Sequence, residues 1–92
     1  MLTEFEVRRK IQDITASGEP ANRQVRMLLR VGRALKRQLR ALRLARHRFL
    51  GGSDRNTRAQ LDRLIVRSHS LREEVRSEAD ELMKPRSRAG LY

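Results

Sequence analysis

Apolar residues recur at three- and four-residue steps through most of the chain, the spacing that keeps one face of an α-helix inside. Through the middle third, Val25, Leu28, Leu35, Leu39, Leu42 and Phe49 follow it, with Gly32 and Arg46 in the two remaining places of a heptad seam. Further on, Leu61, Leu64, Leu71, Val75 and Leu82 keep a matching seam. Ser68 and Glu78 are its polar members, and Ile65 and Ala79 widen it. Phe5, Val7, Ile11 and Ile14 give the N-terminal segment a shorter apolar face.

Breaker residues delimit these segments. Proline occurs only at 20 and 85, and glycine only at 18, 32, 51, 52 and 90. The spacing therefore predicts helices over residues 4–17, 21–50 and 54–83, followed by a flexible C-terminal tail over 85–92. Thr3 with Glu6 three residues on reads as a capping box, and Leu2 with Val7 as its hydrophobic staple. Gly18 suits the position just past a helix end, and Pro20 suits a helix start. Ser53 or Asp54 can cap the third helix, and Pro85 turns Lys84 away from helical conformation. Gly32 inside the second helix costs about 1 kcal/mol relative to Ala and reads as tolerated there.

Two long helices of matched length joined by a short turn at Gly51-Gly52 pack antiparallel. The expected fold is all-α: a long, coiled-coil-like antiparallel helical hairpin with a short N-terminal helix near its open end, in one domain over 1–84.

Composition adds that the core is thin. The chain has 92 residues, 38% of them apolar, and its aromatics are Phe5, Phe49 and Tyr92. Leu, Ile and Val must form the interior, and a homo-oligomer, foremost a dimer, is the expected way to pool apolar faces. The absence of cysteine excludes disulfides and thiolate metal sites. No apolar run approaches the roughly 20 residues of a membrane span, and no signal core follows the N-terminus, so a cytoplasmic location without membrane contact is expected.

Charge changes the picture most. Lys and Arg number 22 against 11 Asp and Glu, a net +11 that favours polyanionic partners. In the heptad register Arg23, Arg30 and Arg37 share one outward position and Arg26, Arg33 and Arg40 the next, forming an Arg ladder. With a turn centred near Gly52, Arg26 to Arg33 face residues 71–78. Glu73, Glu74, Glu78, Asp80 and Glu81 are therefore expected to neutralise Arg23, Arg26, Arg30 and Arg33, each exposed pair contributing up to about 1 kcal/mol. The closed end has no such compensation, since residues 36–67 hold ten cations and only Asp54 and Asp62. Arg46, in a seam position, is expected to snorkel or pair with Asp62.

Signals for chemistry are absent. His47 and His69 read as surface or interface histidines, not metal ligands. Gly51-Gly52 lacks the Lys-Ser/Thr of a phosphate loop and reads as a turn. Ser68 and Ser70 flank His69, but adjacency in sequence does not place a base beside a nucleophile. No catalytic residue, metal or cofactor is assigned, and the chain is not read as an enzyme.

The expected function is non-catalytic binding of a polyanion, foremost nucleic acid or a nucleoprotein assembly, through Arg37, Arg40, Arg43, Arg48, Arg55, Arg58 and Arg63 at the closed end. Aromatic stacking platforms are missing, so binding should be largely sequence-independent, with Gln38, Asn56 and Gln60 the candidates for base edges. The rival reading is a structural or adaptor protein that pairs with a copy of itself or an acidic helical partner through a second apolar strip. Leu29, Val31, Leu44, Ile65 and Val66 would form that strip.

Overall fold

A computed structural model describes residues 1–48 and 55–84. Its elements are α1 (Glu4–Thr15), α2 (Ala21–Arg48) and α3 (Arg55–Met83), and no strand occurs among the described residues. The protein is an all-α helical hairpin of α2 and α3 with α1 packed against both. The expected turn at Gly51-Gly52, the caps at Ser53 or Asp54, the seam residue Phe49 and the tail over 85–92 lie outside the described residues.

α1 begins as its sequence dictates. Thr3 is extended (φ −88°, ψ 166°) and its Oγ1 accepts the Glu6 N–H at 3.2 Å. The reciprocal arm differs from the usual box, because the Glu6 carboxylate accepts from the Thr3 hydroxyl (3.2 Å). Val7 is fully buried and Leu2 packs against the same cluster, as a staple requires. The helix stops two residues sooner than expected, where Ala16 caps it and Ser17 Oγ donates to the Ile14 carbonyl (2.6 Å). Gly18 follows with φ +75°, a left-handed conformation that turns the chain back. Pro20 stands at the cap of α2, outside its first turn, where its carbonyl accepts the N–H groups of Arg23 and Gln24 at 3.0 Å each. Gln24, itself buried, ties down the same corner through Nε2 to the Glu19 carbonyl (2.8 Å).

Three contacts set the hairpin register: Gln38 to Ser68, Arg46 to Asp62, and Gly32 against Val75. Partners on α3 thus lie half a turn to one turn further along than a turn centred on Gly52 predicts.

The buried face follows the apolar pattern with one systematic rotation. Leu28, Leu35, Leu39 and Leu42 are buried as the seam predicts, but Val25 is only half-buried, while Gln24 and Val31 are buried. In α3 the seam passes through Ala79, which is buried, instead of Glu78, which is exposed. The reason is α1, which widens the buried arc on one flank. Val7 and Ile14 join Leu28, Val31, Leu35, Leu71, Val75 and Ala79 in a single cluster. Beyond it, towards the closed end, two helices alone cover Leu39 and Leu42, and Leu61 and Leu64 stay half-buried.

Candidate functional site

The outer face of α2 is the most strongly charged surface described. At 100° per residue, Arg26, Arg30, Arg33, Arg37, Arg40 and Arg48 fall within about 80° of arc, over about 33 Å of axis. Lys36 and Arg43 extend that arc on the flank away from α1. All eight side chains are exposed, and among the described residues none makes an ion pair. Among the described residues two α2 cations are paired: Arg23 with Glu19 (3.1 Å) and Arg46 with Asp62, a partner expected for it.

The expected neutralisation of the ladder by α3 is therefore not what the structure contains. Glu74, Glu78 and Glu81 find other surroundings. Glu74 pairs with Arg8 of α1 (3.3 Å), which also holds Glu4 (2.9 Å), and Glu78, one turn on, lines the same α1–α3 groove. Glu81 accepts from Lys84 at 2.7 Å, a hydrogen bond that raises the Lys84 pKa above its ordinary value. Glu73 lies on the other flank, beside Arg33 but without an ion pair to it. The register shift and the docking of α1 on one flank of α3 together account for this, because Glu74 and Glu78 occupy the flank that α1 covers.

The seven expected polyanion-binding residues do not share one face. Arg37, Arg40 and Arg48 lie on the outer face of α2 with Arg43 at its edge, and all four are exposed. Arg55 is exposed and Arg58 half-buried at the start of α3. Arg63 is turned about 140° from Arg58 around α3 and lines the cleft next to α1 with Glu4, Asp62 and Glu74. Arg26, Arg30 and Arg33, for which the sequence predicts acidic partners, are exposed and, like Arg37 and Arg40, make no ion pair among the described residues.

The expected partner strip is likewise dispersed. Val31 is buried in the core cluster. Leu44 (53% exposed) sits amid the Arg face of α2, Val66 (66% exposed) on the outer side of α3, and Leu29 (45% exposed) and half-buried Ile65 on the flank away from α1.

Gln38 is not available to read bases. Its Oε1 accepts the Leu2 N–H (2.7 Å), and its Nε2 donates to the Leu2 carbonyl (3.1 Å) and to Ser68 Oγ (2.9 Å). It clamps the start of α1 to the middle of the hairpin and satisfies a serine that is 2% exposed. The signal was in the sequence: a serine in an apolar seam needs a hydrogen-bonding partner. Gln60 and Asn56 are exposed on α3.

His47 and His69 are both exposed, and no group of three His, Asp or Glu able to hold a metal occurs among the described residues. No described helix is long and apolar enough to cross a membrane. Comparison of the chain with protein-family models, curated proteins and solved structures finds no match.

Proposed function

We propose that this protein binds a linear polyanion without catalysis, and that the polyanion is nucleic acid, alone or in a nucleoprotein assembly. One observation carries the reading: eight exposed cations along α2 with no ion pair among the described residues. Like charges repeated at about 5 Å, one helical pitch, destabilise the helix that carries them until an anion neutralises them. A straight row suits a polymer that presents a phosphate about every 3.4 Å along each strand. Seven of the eight are Arg, whose planar guanidinium takes phosphate oxygens in pairs.

The binding face runs from Arg26 to Arg48, wider than the closed end alone. With no aromatic side chain on it, the face grips backbone and leaves base sequence unread.

The test is fluorescence anisotropy with duplex and single-stranded oligonucleotides. If five to eight phosphates are neutralised, log affinity falls against log salt on duplex DNA with a slope of about −4.5 to −7. Replacing Arg37, Arg40 and Arg43 by Glu abolishes binding while circular dichroism stays helical. No binding at low salt, or a flat salt dependence, refutes the reading.

A further inference from the structure

α1 covers one flank of the hairpin's open half and leaves the other flank as a groove of about 330 Å³ between α2 and α3. Its floor is apolar: Leu29, Val75 and the bare backbone of Gly32, where an added Cβ would meet only Val75 Cγ1 at 3.7 Å. Arg33 and Lys36 stand on the α2 rim, and Arg72 and Arg76 on the α3 rim with Glu73, so four cations face one carboxylate. None of these four cations makes an ion pair among the described residues.

We infer that this groove docks an acidic amphipathic helix of a partner protein. The partner's apolar stripe lies over Leu29, Gly32 and Val75, and its flanking carboxylates meet Arg33 and Lys36 on one side and Arg72 and Arg76 on the other. α1 supplies the pattern on the opposite flank, with Val7 and Ile14 turned inward and an ion pair, Arg8 to Glu74, at the rim. A fourth helix in the vacant groove makes the same kind of contact with the charges exchanged.

Charge selects the occupant. A second copy of this chain carries net +11 and would bring the same four cations against their counterparts, and like-charge juxtaposition of that kind costs several kcal/mol. A nucleic-acid backbone would meet the rim cations but bring only phosphate and sugar to the aliphatic floor, which an apolar helix stripe covers. Arg33 and Lys36 belong to both surfaces, whereas Arg72, Arg76 and the groove floor lie outside the ladder on α2, so variants at 72 and 76 test this inference apart from the polyanion reading.

The probe is a labelled peptide of about three heptads with Leu at positions a and d and Glu at e and g, titrated by anisotropy. Saturable one-to-one binding is expected. R72Q/R76Q weakens it about tenfold, as loss of two rim contacts predicts. Gly32→Leu, which fills the floor, abolishes it while helicity is unchanged. A composition-matched peptide with its leucines scrambled does not bind. Equal binding of the scrambled peptide, indifference to both variants, or displacement by single-stranded oligonucleotide that depends on Leu29 overturns the inference. Arg26, Arg30 and Arg37 replaced together by Gln reduces nucleic-acid binding and leaves the peptide affinity within about threefold, so failure of one reading is distinguishable from failure of the other.

Discussion

Replacing Gln38 by Leu removes the clamp between α1 and the hairpin while keeping side-chain volume close to the original. Three hydrogen bonds are lost, at 2.7, 3.1 and 2.9 Å, and a typical one contributes about 0.5–1.5 kcal/mol net. Ser68, 2% exposed, loses the one partner that lies on α2, and an unsatisfied buried hydroxyl costs about 1–3 kcal/mol. These terms overlap, and the new leucine regains part of the loss by apolar burial, so the expected net destabilisation is about 2–3 kcal/mol. Urea denaturation followed by circular dichroism measures it, and the thermal midpoint should fall by about 10–20 °C. Adding Ser68→Ala to Gln38→Leu should cost nothing further or restore stability, because both polar partners are then gone. A single-variant loss below about 0.5 kcal/mol, or strictly additive effects in the double variant, would refute the clamp.

Gly32→Ala should stabilise the protein by about 1 kcal/mol, because the methyl group meets only Val75 Cγ1 at 3.7 Å and the helix interior prefers Ala. Gly18→Ala should destabilise by about 1–2 kcal/mol in the same denaturation assay, since φ +75° strains an L side chain although nothing crowds it. Leu35→Ala, at a fully buried site of the three-helix cluster, should cost about 2–5 kcal/mol.

The helices and their pairing were legible because heptad spacing, the capping box at Thr3 and Glu6 and the glycine at 18 each act locally. The register was not, since a seam of repeating leucines does not fix how far one helix slides along the other, and polar contacts such as Gln38 to Ser68 decide it. The fate of the acidic residues was hidden for a related reason. Heptad position says that Glu74 and Glu78 face outward, but not that α1 docks on that flank and draws Glu74 to Arg8. Once that flank is assigned, Arg26, Arg30 and Arg33 lose their expected partners. The basic site then grows from the closed end to nearly the whole of α2. Val31 illustrates the converse: an apolar residue beside the seam that looked available to a partner is consumed by α1.

The claim that the unpaired cations of α2 hold phosphates is tested most directly by the salt dependence of duplex DNA binding, wild type against a variant with Arg26, Arg30 and Arg33 replaced by Gln. These three make no ion pair among the described residues, against the expectation from sequence. Each lost phosphate contact removes about 0.9 from the log–log slope, so the account predicts a slope shallower by about 2.7 with helicity unchanged. An unchanged slope would contradict it.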